Sequence, residues 1–202
     1  MAHLARSCLL RALWPVAIAC GCFSGQNSNQ RQIKFKDDVE TNVDLPANVD
    51  ELEFLDTSGQ KVNLSDFIGK KNVVLVITRG FSGKLCPFCT TQTSRLISNY
   101  GEISKRNAEV LLVYPGSPES LDRFIEAAMS SEKKQVDRVP FPILLDEELQ
   151  AVNFFDISDA LAFPSTYVID KEGKVRFAYV GSSPSDRPSL KALLKQLDDI
   201  VS

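Results

Sequence analysis

Histidine is nearly absent from this 202-residue chain: the one copy is His3, inside a stretch that reads as a leader, so a processed protein would contain none. That excludes Ser-His and Cys-His catalysis, imidazole proton shuttles and His-built metal sites. An excess of one charge is also missing. The 23 Lys and Arg stand against 26 Asp and Glu with no basic cluster, so nothing points to a nucleic-acid partner. Cysteines are few and bunched, at positions 8, 20, 22, 86 and 89, which is not a disulfide framework spread through a fold. Chemistry has to run on thiols, carboxylates, Lys, Arg, Tyr or hydroxyls.

What stands in place of histidine is a pair of thiols in Cys86-Pro87-Phe88-Cys89. The pair follows a β-branched apolar run, Asn72 to Thr78, that reads as a strand buried on both faces. Strand, short loop, C-x-x-C and helix together make a reactive thiol. Pro87 suits a first helical turn, where its missing N–H costs nothing. Cys86 then stands at the helix N-terminus, where unpaired N–H groups and the positive end of the macrodipole favour a thiolate. Thiols so placed ionise at roughly 3.5–7.5 instead of about 8.5. Cys89 lies one turn in, facing the core and within reach of a disulfide to Cys86. A structural staple and a zinc half-site are the competing readings, and the second lacks ligands, so no metal is expected. Arg79 is a candidate to favour the Cys86 thiolate or bind an anionic oxidant, against the alternative of a strand-end charge in solvent.

Met1 to Arg11 carries Arg6 and Arg11 without an acid, and Ala12 to Ala19 is a short apolar run ending in small residues. This is the plan of an export signal over residues 1–19, too short for a membrane span of about 20 residues. The boundary Ala17-Ile18-Ala19-Cys20 resembles the lipobox of bacterial lipoproteins. That resemblance implies lipidation at Cys20 and a membrane anchor there. The expected location is the bacterial cell envelope, facing the periplasm, with ordinary secretion as the alternative. Residues 20–50, rich in Ser, Asn, Gln and Asp without an apolar period, read as a flexible tether to a domain over 51–202.

Within that domain, Leu52 to Leu55 and Lys61 to Leu64 form a hairpin signal around Asp56-Thr57-Ser58-Gly59. The helix after the cysteines places Cys89, Leu96, Ile97, Tyr100 and Ile103 on one face. Glu109 to Tyr114 is a buried strand, Pro118 to Ser130 a helix, Phe141 to Leu145 a short strand and Glu147 to Phe155 a short helix. Ser165 to Asp170 and Lys174 to Val180 pair as a hairpin. A closing amphipathic helix carries Leu190, Leu193, Leu194 and Leu197, with Pro188 in its first turn. This order predicts an α/β fold around a mixed sheet.

Four segments, in this order, resemble the thioredoxin-like superfamily, in its redoxin branch of alkyl hydroperoxide reductase/thiol-specific antioxidant (peroxiredoxin-like) proteins. LEFLDTSGQKVNLSDFIGKKNVVLVIT is similar to the redoxin opening, and TRGFSGKLCPFCTTQ to a peroxiredoxin-like active-site segment. FPILLDEELQAVNFFDI resembles the redoxin insertion, and FPSTYVIDKEGKVRFAYVG the proline-strand-turn-strand ending. The resemblance covers about Leu52 to Ser202. It implies a thioredoxin-like fold, a mixed central sheet flanked by helices with an N-terminal hairpin and the redoxin insertion. It also implies Pro164 as the active-site proline, offering backbone to an extended substrate. Phe163 and Phe81 are candidates for an apolar rim facing a partner protein, against ordinary core or loop packing as the favoured alternative for each alone.

The departures from that pattern bear on the chemistry. Where peroxiredoxins carry P-x-x-x-T-x-x-C, the Thr position holds Gly83 and the Pro position Arg79; their second active-site Arg is replaced by Pro164. The buried carboxylate that in thioredoxins accepts the second thiol's proton is missing from the strand. The expected activity is therefore dithiol–disulfide exchange on protein thiols, with Cys86 attacking and Cys89 resolving. Peroxide reduction through a Cys86 sulfenic acid is the rival, and a non-catalytic lipoprotein with a structural disulfide is the third reading. No bound cofactor is implied, so electrons must come from another redox protein.

Overall fold

The computed structural model describes residues 33–130 and 137–201. Seven strands form one mixed sheet in the order β2-β1-β5-β4-β3-β6-β7. They are β1 (Glu53–Asp56), β2 (Lys61–Asn63), β3 (Asn72–Ile77), β4 (Ala108–Tyr114), β5 (Ile143–Leu145), β6 (Ser165–Ile169) and β7 (Val175–Val180). The helices are α1 (Pro87–Ser98), α2 (Tyr100–Ser104), α3 (Pro118–Ser130), α4 (Gln150–Phe154) and α5 (Leu190–Val201). β3, β4 and β5 run parallel, while β6, β7, β1 and β2 add antiparallel margins. This is the mixed, helix-flanked sheet the segment order predicts.

The β-branched run of β3 sits at the centre because each of its residues is covered. Alternate side chains serve opposite layers, as the two-residue strand period requires. Val74 and Val76 pack with Leu96 of α1, Leu121 and Phe124 of α3, and Leu193 and Leu197 of α5. Val73, Leu75 and Ile77 pack with Leu52, Phe54, Leu64 and the α4 residues Ala151 and Val152. Full burial of each such side chain stabilises the fold by about 1.5–3 kcal/mol. The cysteine-bearing helix belongs to the first layer.

Several boundaries differ from the sequence expectations. The helix after the cysteines is not continuous: Asn99, at φ −119°, separates α1 from α2. α4 starts at Gln150 rather than Glu147; Asp146 supplies its first turn with an acceptor, its carboxylate taking the N–H of Ala151 at 3.1 Å. Pro188 lies before α5 and forms a parallel bridge with Lys36.

That bridge corrects the tether boundary. The leader, Cys20 and Cys22 lie outside the described residues, but residues 33–50 pack on the domain. The Asn42 N–H donates to Ala178 O at 3.1 Å, its side chain exchanges two hydrogen bonds with Val180, and Thr41 Oγ1 accepts from Ala178. The segment thereby covers the open edge of β7, whose backbone groups would otherwise be unpaired. Val39 inserts into the first core layer and Val49 into the second. A polar composition hid this anchoring, because it runs through backbone and amide hydrogen bonds with only isolated apolar plugs.

Candidate active site

The loop leaving β3 delivers the thiols. Gly80 is required on it: φ is +81°, and a Cβ there would lie 2.2 Å from Pro115 O. Cys86, in extended conformation, is the N-cap of α1, and Pro87 opens the helix. The Cys86 sulfur accepts the Cys89 backbone N–H at 3.3 Å, satisfying one of the orphan donors of the helix start. Cys86 is half-buried, and Cys89 is 2 % exposed in the first core layer.

A residue the sequence reading passed over completes the site. Arg187, in the loop between β7 and α5, is 1 % exposed. Its Nη2 lies 3.1 Å from Cys89 Sγ and 4.0 Å from Cys86 Sγ. Nε donates to Pro184 O at 2.9 Å, and Nη1 donates to Gln92 Oε1. Among the described residues no carboxylate pairs with this guanidinium, and the adjacent carboxylate of Asp186 is committed elsewhere. Asp186 accepts from Lys36 Nζ at 2.8 Å, from the Tyr179 hydroxyl at 2.7 Å, and from Ser182. Those contacts hold its carboxyl well below the usual carboxylate range against the opposing effect of burial. Backbone bonds from Lys36 to Arg187 and Ser189, at 2.9 and 2.7 Å, tie the edge-covering segment to the same loop.

Ionisation of the two sulfurs is asymmetric. The Cys86 thiol is drawn down to about 6, first by the Cys89 S–H donating to its thiolate, then by the Cys89 N–H, the Arg187 charge and the Phe88 N–H, all against burial. Burial pushes Cys89 well up, with the Cys86 sulfur adding to it. Arg187 is nearer to Cys89, yet Cys86 carries the negative charge, because desolvation of the deeper sulfur outweighs the guanidinium. One thiolate, one retained proton and one buried cation can break a disulfide or a peroxide bond and then close a ring.

The other sequence candidates fall in different places. Arg79 reaches the site by its backbone N–H, which faces the Cys89 sulfur. Pro164 precedes β6, at the same sheet end as the loop leaving β3, since Ile77 pairs with Ser165. Its carbonyl accepts the Gly181 N–H at 2.9 Å. A Cβ on Gly181 would meet Asp186 O at 2.0 Å and Pro164 Cγ at 3.0 Å, so Pro164 and the Arg187 loop are packed together. Phe81 packs in the layer of the cysteines, whereas Phe163 packs in the opposite layer and is not part of a rim beside Cys86. The one sequence cue to Arg187 was Gln92, a buried amide on the inward face of the cysteine helix, which demands a polar partner.

Comparison with known proteins places the chain in a family. The AhpC/TSA family pattern matches residues 43–178. The chain is 27% identical over 133 residues to "Peroxiredoxin Bcp" of Escherichia coli, covering 61% of this chain and 77% of that protein. It is also 27% identical over 140 residues to "Thiol-disulfide oxidoreductase ResA" of Bacillus subtilis, covering 69% and 67%. Among solved structures, a peroxiredoxin 6 of Arenicola marina superposes with a TM-score of 0.68 at 19% identity, over 79% of this chain and 74% of that one. Peroxidoxin BcpB of Mycobacterium tuberculosis gives 0.62 at 21% identity, over 81% and 100%. At those identities the structural likeness speaks for the fold. Arg187 lies beyond the span of the family match.

A thiol ionising lower in the folded than in the unfolded chain adds stability that is complete above the ordinary thiol value and is lost as pH falls through the folded one. The reduced protein should therefore gain stability over its Cys86→Ser variant between about pH 6 and about pH 9. Urea unfolding across that range checks it, and a pH-independent difference between the two proteins would contradict the asymmetry.

Proposed function

The chain belongs to the AhpC/TSA family and is a redox enzyme, and on that footing we propose that it exchanges dithiol for disulfide with protein thiols. The Cys86 thiolate attacks a substrate disulfide and forms a mixed disulfide. Cys89 then attacks Cys86 Sγ, releases the substrate as a thiol and leaves the pair oxidised. Backbone at Pro164 aligns the extended partner, and a separate redox protein returns two electrons. The observation that carries this reading is the Cys86 sulfur on the α1 N-terminus, with a retained proton on Cys89 one turn deeper. The Thr and Arg that peroxiredoxins aim at a peroxide correspond here to Gly83 and Pro164, which supports disulfide over peroxide as the substrate.

Peroxide reduction is the second reading, supported by the name of the Escherichia coli relative and by the guanidinium beside the thiolate. In that cycle Cys86 becomes a sulfenic acid and Cys89 condenses with it, expelling water. Reduction of insulin disulfides and consumption of hydrogen peroxide, measured on one preparation, separate the two. The expected outcome is insulin reduction abolished by Cys86→Ser, a trapped mixed disulfide in Cys89→Ser, and slow peroxide turnover. Fast peroxide consumption with intact insulin would reverse the choice.

The site of action belongs to the same proposal. The leader and Cys20 support a lipid anchor on the periplasmic side of a bacterial envelope. Labelling with a fatty acid in a bacterial host is expected to mark the wild-type chain and not Cys20→Ala. Equal labelling of both, or of neither, would remove the anchor from the account.

A further inference from the structure

The second half of the exchange reaction poses a chemical problem. Cys89 must lose a proton before it can attack Cys86, yet it is buried and its thiol is pushed up. Among the described residues, no carboxylate hydrogen-bonds or pairs with either sulfur. The remaining titratable groups are Cys86 on the same helix end and Tyr114 on β4, whose hydroxyl donates to Ser120 Oγ at 2.9 Å and whose own ionisation burial pushes up. Neither is a proton acceptor for Cys89. What does touch it is the guanidinium of Arg187, 3.1 Å from its sulfur, and the Arg79 backbone N–H.

We propose that Arg187 is the catalytic residue of the resolving step, passing its charge from the Cys86 thiolate to a Cys89 thiolate once Cys86 is tied up in the mixed disulfide. In the reduced enzyme one cation faces two sulfurs, and the shallower one is ionised. Forming the mixed disulfide removes the Cys86 charge, both as partner of the guanidinium and as repulsion on Cys89. The buried cation then has only the Cys89 sulfur to pair with. A buried charge without a partner is costly, so the cheapest relief is loss of the Cys89 proton to solvent. The Cys89 thiolate attacks Cys86 Sγ; the bond between Cys86 and the substrate sulfur breaks, and that sulfur departs with the electron pair. Over both steps the enzyme pair loses two electrons and the substrate disulfide gains them. A cation that stabilises the resolving thiolate thus does the work that a proton-accepting carboxylate does elsewhere. The rest of the loop serves to keep it in place: Nε on Pro184 O, Nη1 on Gln92, and Asp186 clamped by Lys36 and Tyr179.

The inference rests on the dithiol reading, and an aryl disulfide with a coloured thiolate tests the two separately. Mixed in equimolar amount with reduced enzyme, it releases one coloured thiolate on attack by Cys86 and a second on closure by Cys89. At about pH 8, where the Cys89 S–H and the backbone N–H groups still hold Cys86 ionised without the Arg187 charge, Arg187→Gln should slow the second release at least about tenfold and the first less than about threefold. Equal slowing of both phases, or an unchanged second phase, overturns the role. Because a buried Arg is replaced, wild-type enzyme supplies a second reading. Its second phase should titrate below the ordinary thiol value of about 8.5, and titration above it counts against the proposal whether or not the variant folds. Absence of any first release would instead sink the dithiol function, and this inference with it.

Discussion

One buried cation, which has no carboxylate partner among the described residues, is the constraint on which this site depends. Among the described residues Arg187 is enclosed by a carbonyl, an amide oxygen and two sulfurs, and of these the sulfurs are the groups that can carry a compensating charge. Leaving such a charge unpaired costs about 3–5 kcal/mol, a large fraction of the 5–15 kcal/mol by which a domain is stable. The fold answers with placement. The β7–α5 loop is pressed onto Pro164 through Gly181, fastened by Asp186, and held from outside by the segment around Lys36. The cation, Pro164 and the edge of the sheet are therefore one assembly.

Two effects compete at the sulfurs, and their balance assigns the roles. Distance alone would put the negative charge on Cys89, which is closer to the guanidinium. Burial opposes this, and the shallow position of Cys86 at the helix start adds the Cys89 and Phe88 N–H groups, where the deeper sulfur has the Arg79 N–H. The result is a Cys86 sulfur that is ionised and a Cys89 sulfur that keeps its proton and lends it to Cys86 as a hydrogen bond. This division follows from depth along a single helical turn, which is why three-residue spacing suits the chemistry.

The layered fold was legible in the sequence because its signals are local: the β-branched run of β3, the two-residue alternation that sorts Val74 from Leu75, and the helical period of α5 around Leu193 and Leu197. The thiols were legible for the same reason, since Cys86, Pro87 and Cys89 form one local motif. Arg187 was not. It lies far along the chain from the cysteines, in a Ser- and Pro-rich stretch whose composition is that of an exposed turn, and it is buried because its loop carries it against Gln92 and the two cysteines of the distant α1 end. Phe163 packs in the core as ordinary packing requires, but in the layer opposite Phe81, and which of the two layers it joins leaves no local mark in the sequence. The segment around Lys36 was read as tether because hydrogen bonds to the β7 edge leave no periodic mark in a sequence.

The most direct test is the ionisation of Cys86 itself, followed as thiolate absorbance in the reduced enzyme across the acid-to-neutral range. The account predicts a midpoint near 6 that disappears in Cys86→Ser and moves upward in Cys89→Ala, which removes the hydrogen-bonding S–H. A midpoint at the ordinary thiol value of about 8.5, unmoved by the loss of Cys89, would contradict it.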